Sequence, residues 1–146
     1  MRAAVLRQAG APLTIEEIDI DDPGPGEVRI RTAAAGVCHS DLHFIEGLYH
    51  TPMPCVPGHE SAGVIEAVGP DVTYVQPGDH VITCMSAFCG VCRNCTAGRP
   101  ALCESTETWR SPGQPPRLSQ NGQPITQLYN LASYAEAMLV HERACV

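Results

Sequence analysis

Apolar and polar side chains alternate through the first third of the chain, and a period of two marks strands. Residues 1–8 read as a strand, 9–12 as a turn and 13–20 as a second strand with Leu13, Ile15 and Ile18 facing inward, together an opening hairpin. Asp22-Pro23-Gly24-Pro25-Gly26 is a turn, because its prolines and glycines exclude regular pairing. Residues 27–34 then place Val28 and Ile30 on one face and Arg29 and Arg31 on the other, the pattern of a strand with one wet face.

The period changes at residues 39–46, where Leu42, Phe44 and Ile45 suit a short helix that Gly47 can end in the left-handed conformation. Residues 51–57 contain three prolines and form an extended connector that delivers Gly58-His59-Glu60. Further strands are expected at 62–68, 80–84 and 133–140. The stretch 104–128 holds Pro112, Pro115, Pro116 and Pro124 and is too long for an ordinary connection. It is either a functional lid or poorly ordered, with Asn121-Gly122 able to turn a small hairpin inside it. The pattern is therefore mainly β with short helices.

A chain of 146 residues fits one domain that can bury a core without covalent staples. The 13 glycines and 13 prolines favour many turns and short strands over long helices. Lys and Arg total 9 against 16 Asp and Glu, a net charge of -7 with no basic run, so nucleic acid is not an expected partner. Arg2, Arg7 and Gln8 interrupt any signal-peptide core, and no later stretch is long enough for a bilayer. A soluble, cytoplasmic protein is the expectation.

Eight cysteines change that picture. In Cys89-x₂-Cys92-x₂-Cys95-x₇-Cys103 four thiols are spaced so that one compact loop can turn them toward a tetrahedral metal with bonds of about 2.3 Å. Such a site has no open position and is structural. Arg93 and Arg99 lie near enough to offset its negative charge. Two disulfides or four free thiols are the alternatives, and thiolates bind iron as well as zinc. Cys55, Cys84 and Cys145 read as small apolar core residues, and His50, His80 and His141 as ordinary histidines.

A second concentration of chemistry lies at Cys38-His39-Ser40-Asp41-Leu42-His43 and Pro57-Gly58-His59-Glu60. A thiolate and an imidazole, Cys38 and His59, are materials for a catalytic zinc site, which keeps one position for water or substrate. Ser40 and Asp41 could equally cap the helix that follows Cys38.

Gly58-His59-Glu60-x₂-Gly63-x₅-Gly69-x₂-Val72, preceded by Cys38-His39-Ser40-Asp41 and followed by the four-cysteine lobe, resembles the zinc-containing alcohol dehydrogenases of the medium-chain dehydrogenase/reductase family. The resemblance implies that residues 1–146 are a GroES-like β-barrel catalytic domain, with a zinc lobe at 85–104 and the long loop at 104–130. It implies Cys38 and His59 as ligands of a catalytic zinc, and Cys89, Cys92, Cys95 and Cys103 as ligands of a structural one. Asp41 would hydrogen-bond the far nitrogen of His59. Glu60 would ligate the metal transiently, Ser40 would accept the alcohol proton, and His43 would relay it to solvent. His39 falls where the family often has an arginine on the cofactor pyrophosphate. Tyr49, Met85 and Leu128 would line a pocket for a small-molecule alcohol or aldehyde.

No Gly-x-Gly-x-x-Gly follows a strand, so the α/β nucleotide-binding domain that would bind NAD(P) is absent from these residues. The family's third catalytic ligand, a cysteine, is expected beyond Val146. The chain alone is then expected to be inactive, the complete enzyme an NAD(P)-linked homo-oligomer, and the missing domain its partner. With Cys38 and His59 alone the metal would be held weakly unless Glu60 joins them. The competing reading is a non-enzymatic zinc-binding β-barrel module with a structural or assembly role.

Overall fold

The computed structural model describes residues 1–111 and 113–146; Pro112, one of the prolines of the expected loop, lies outside the described residues. The opening hairpin forms, with β1 (Arg2–Val5) antiparallel to β2 (Thr14–Glu17). It ends sooner than expected. The chain bends at Ile18, which enters the core, and β3 (Asp19–Ile20) leaves for another partner. Ile15 faces outward at 71% exposure rather than inward, because β2 is an edge strand and no layer covers that side.

Next come β4 (Glu27–Ala35), the helix α1 (His39–Glu46), β5 (Cys55–Val56), β6 (Ser61–Val68) and β7 (His80–Ile82). The lobe contributes α2 (Arg93–Thr96). The chain then forms β8 (Leu118–Gln120), β9 (Gln123–Pro124), β10 (Thr126–Gln127) and β11 (Ala137–His141). The largest sheet has the order β11-β4-β6-β7, and smaller ones join β3-β8-β9, β1-β2 and β5-β10. Among the described residues no helix is long and apolar enough to cross a membrane.

Val28 and Ile30 of β4 are fully buried, as their alternation predicts, and pack with Ile65, Val81, Met138 and Val140. A second core cluster gathers Val5, Ile18, Val56, Leu118 and Ile125 beneath the hairpin. Cys55 and Cys145 are buried, and burial pushes both thiols up to about 11, which keeps them neutral. Helix α1 matches its expected bounds, and Gly47 ends it with φ 83°. Its phase differs: Asp41 and Phe44 face inward, while Leu42 is exposed.

Residues 104–128 are tied to the barrel by charge. Asn121 and Gly122, both at positive φ, turn the β8–β9 hairpin, and β8 pairs with β3. Upstream, Arg110 Nε and Arg117 Nε donate to Glu27 Oε1 at 3.0 and 2.8 Å. The Gly24 N–H donates to Glu27 Oε2 at 2.9 Å. Arg110 also holds the Pro115 carbonyl at 2.8 Å, and Arg117 holds that of Thr108 at 3.0 Å. Burial alone would raise the pKa of Glu27, but the donors from Arg110, Arg117 and Gly24 outweigh it and bring the value down to about 2.

Removing this carboxylate leaves the buried Arg117 guanidinium unpaired, so Glu27→Ala is expected to lower stability by roughly 3–5 kcal/mol in urea unfolding at neutral pH. A depressed pKa stabilises above the unfolded value and is lost on acidification. Wild-type protein should therefore lose this contribution as pH falls from 4.5 through about 2. Glu27→Gln should lack that part of the acid dependence.

Candidate functional site

Cys38 caps the start of helix α1, its backbone extended while the next residue is helical. Asp41, three residues on, reaches back to accept the Cys38 N–H at 3.2 Å. The same carboxylate accepts from Gly58 N–H at 3.1 Å and lies 3.2 Å from His59 Nδ1. Helix capping and contact with His59, alternatives in the sequence, are met by one buried side chain. With Asp41 ionised, Nδ1 donates to it and Nε2 keeps its lone pair for a ligand.

Nε2 points toward Ser40, 3.4 Å from its Oγ, and that hydroxyl is 3.2 Å from Cys38 Sγ. Cys38, His59 and Glu60 each offer one ligand atom, all within 4.8 Å of one another. Thiolate, imidazole and carboxylate at that separation fit a divalent transition metal such as zinc. Gly58 makes the arrangement sterically feasible. It sits at φ 92°, and a Cβ there would lie 2.3 Å from Ser133 Oγ and 2.5 Å from Tyr134 Cδ1.

His39 and His43, one turn apart on α1, stack edge-on at 4.6 Å, and His43 meets the Tyr49 ring at 5.1 Å. His39 is exposed; His43 Nδ1 is buried without a hydrogen-bond partner among the described residues. Neither belongs to the group that includes Glu60.

A cavity of about 630 Å³ lies alongside, walled by Phe44, Met85, Trp109, Leu128 and Tyr129 among others. Met85 and Leu128 are in that wall, and Tyr49 packs against Phe44 and His43. Tyr129 links cavity and cluster, its ring 5.1 Å from that of His59 and 5.7 Å from Phe44. Its backbone has φ 52°, a left-handed conformation uncommon for a residue with a side chain. Tyr134 was also missed, and its hydroxyl donates to Asp41 Oδ2 at 3.1 Å. Neither tyrosine carries a local signal, since each gains its role from a contact distant in sequence.

In the lobe all four cysteines are free thiols whose ligand atoms lie within 4.8 Å of one another. Separations of 3.5 Å (Cys92–Cys95), 3.6 Å (Cys89–Cys103) and 3.9 Å (Cys92–Cys103) bracket the ~3.8 Å edge of a tetrahedron with 2.3 Å metal–sulfur bonds. The donor set fits a closed zinc site. Backbone N–H groups of Val91 and Cys92 point at Cys89 Sγ and lower its pKa, and those of Cys95 and Glu104 bring Cys92 down to about 6. Burial pushes Cys95 up to about 12. Arg93 is engaged by Glu104 at 2.9 Å. Among the described residues these are the two groups of three or more such side chains that converge.

Residues 24–146 match the family model described as the alcohol dehydrogenase GroES-like domain. The chain belongs to that family, within the zinc-binding alcohol dehydrogenases of the medium-chain dehydrogenase/reductase group, and its barrel is GroES-like. It is 43% identical over 148 residues to an NDMA-dependent alcohol dehydrogenase of Amycolatopsis methanolica, covering 99% of this chain and 40% of that protein. An alcohol dehydrogenase class-3 of Oryza sativa is 38% identical over 152 residues, covering 97% and 39%. Among solved structures, an alcohol dehydrogenase zinc-binding domain protein from Burkholderia ambifaria superposes with a TM-score of 0.89 at 36% identity, covering 99% and 40%. Benzyl alcohol dehydrogenase from Acinetobacter calcoaceticus gives 0.86 at 34%, with the same coverage. The chain thus spans about 40% of the length of these relatives.

The close approach at Gly58 yields a structural prediction. Gly58→Ala forces a left-handed backbone on a residue with a Cβ, at roughly 1–3 kcal/mol, before the clash with Ser133 and Tyr134 is added. Thermal unfolding should show the loss, and an unchanged melting temperature would contradict this packing.

Proposed function

We propose that this chain carries the metal- and alcohol-binding half of a zinc-dependent, NAD(P)-linked alcohol dehydrogenase that oxidises primary and benzylic alcohols. The observation that supports it most is the convergence of Cys38, Ser40 and His59, with Asp41 behind the histidine. Cys38 and His59 would hold a catalytic zinc, with Glu60 near enough to join them. When bound, zinc supplies Lewis-acid polarisation of the alcohol oxygen and NAD(P) supplies the hydride acceptor. The residues present do the rest. Asp41 fixes the tautomer and direction of His59, and Ser40 Oγ, beside both ligands, accepts the alcohol proton. His43 is the onward acceptor toward solvent, and His39, on the exposed side of α1, suits an anionic part of the cofactor. The cavity beside Tyr129 is of ligand size, and its wall mixes apolar side chains such as Phe44, Met85, Trp109 and Leu128 with polar ones such as Thr108, Arg117 and Gln127, which suits a small alcohol with both an apolar part and a hydroxyl. Cys89, Cys92, Cys95 and Cys103 would hold a second, structural zinc.

The test uses the full-length protein with NAD or NADP and a panel of primary and benzylic alcohols. Cys38→Ser and His59→Ala should each remove one of two zincs and reduce kcat by more than about a hundredfold, beyond the effect of losing an outer partner of a ligand. Ser40→Ala should reduce kcat by about 10²–10⁴-fold with both zincs retained. Undiminished turnover in the Cys38 and His59 variants would refute the assignment. In the lobe, Cys103→Ser should release the other zinc and make residues 89–103 sensitive to protease, leaving the first bound.

A further inference from the structure

On the reading of Cys38 and His59 as metal ligands, we infer that Tyr134 is a positioning residue for that site, its hydroxyl locking the Asp41 carboxylate that in turn orients His59. Asp41 has a side chain only 1% exposed. A carboxylate offers about four lone-pair sites. Gly58 N–H and His59 Nδ1 meet Oδ1 at 3.1 and 3.2 Å, while Cys38 N–H and the Tyr134 hydroxyl meet Oδ2 at 3.2 and 3.1 Å.

Three of those partners belong to the ligand-bearing segments themselves. A donor on Cys38, Gly58 or His59 moves whenever its ligand moves, so it gives Asp41 no independent reference. Tyr134 lies 93 residues from Asp41 in sequence and is tied to β1 as well as to the connector. Its carbonyl accepts the Ala4 N–H of β1 at 2.8 Å, and its own N–H donates to the Pro57 carbonyl at 3.1 Å. The ring then runs over Gly58, where only a missing Cβ leaves room. Burial and the neighbouring Asp41 charge both raise the Tyr134 pKa, so the hydroxyl is a donor at neutral pH. With Oδ2 held, the carboxylate cannot rotate, and Oδ1 stays in line with Nδ1 of His59. Deleting the hydroxyl removes, of the four donors to Asp41, the one whose backbone is also bonded to β1.

Tyr134→Phe in the zinc-loaded full-length protein tests this, because the ring that packs on Gly58 is kept. Zinc transfer to a chelator should show two phases, and the one missing from Cys38→Ser reports the site in question. That phase should accelerate roughly tenfold in Tyr134→Phe, the low end for loss of an outer partner of a metal ligand. The lobe phase should stay as in wild type. With cobalt(II) in place of zinc, the absorption bands of this site should shift or broaden. In combination with Asp41→Asn the tyrosine change should add nothing further. Unchanged release and unchanged cobalt bands, or an effect that persists on top of Asp41→Asn, would overturn the positioning role and leave only ring packing. A wild-type protein that binds no metal beyond that of the lobe overturns this inference together with the ligand reading it rests on.

Discussion

A carboxylate withdrawn from water must find its hydrogen-bond donors inside the protein, and Asp41 imposes that demand on three separate parts of this chain. Leaving such a charge partly unpaired costs several kcal/mol, far more than any one of the contacts gains. The start of α1 supplies the Cys38 N–H, the connector supplies Gly58 and His59, and the segment before β11 supplies Tyr134. Satisfying Asp41 therefore brings Cys38 and His59 to one place whether or not a metal is present. The prolines before Gly58 and the bare Cα of Gly58 serve the same end, since they deliver the donors without steric conflict.

Glu27 is the instructive contrast. It too is a buried carboxylate, yet its side-chain partners are two guanidinium groups, and its charge serves to hold Arg110 and Arg117 against the head of β4. Asp41 is met by backbone N–H groups, an imidazole and a phenol, none a fixed cation. Its negative charge is therefore not cancelled and remains available to the imidazole of His59, as a supporting carboxylate requires. The same side-chain chemistry gives a structural clamp in one place and an electrostatic support in the other, according to who the donors are.

What could be read from the sequence follows this division between local and distant causes. The buried face of β4 was legible because side-chain direction in a strand depends only on neighbours, and the β8–β9 turn because Asn121-Gly122 adopts its conformation locally. The lobe was legible from spacing, since its four thiols lie in one short segment. The phase of α1 was not: hydrophobicity favours turning Leu42 inward with Phe44, but the donors that meet Asp41 turn Asp41 and Phe44 inward and leave Leu42 exposed. Residues 104–128 read as a lid or a poorly ordered loop because the partner that anchors Arg110 and Arg117 lies 83 and 90 residues away. Tyr134 fell within an expected strand, where nothing distinguishes a hydroxyl that meets a buried charge from one that meets water.

The two converging groups also differ in what their construction permits. In the lobe every donor comes from residues 89–103, so a metal there would need little from the barrel, and four sulfurs would close its coordination shell. The Cys38 group draws on two segments fixed by the barrel and, with a metal bound, would leave coordination positions unfilled, which is the condition for exchange with a substrate. Yet the lobe is not remote from that group, because Pro100, Ala101, Cys103 and Glu104 form part of the cavity wall to which Tyr129 also belongs, and the Tyr129 ring lies 5.1 Å from that of His59. Holding the sulfurs at one point holds that wall. On the proposed reading, the closed site acts on the reaction through the shape of the space the alcohol occupies, and the open one through the atoms that react.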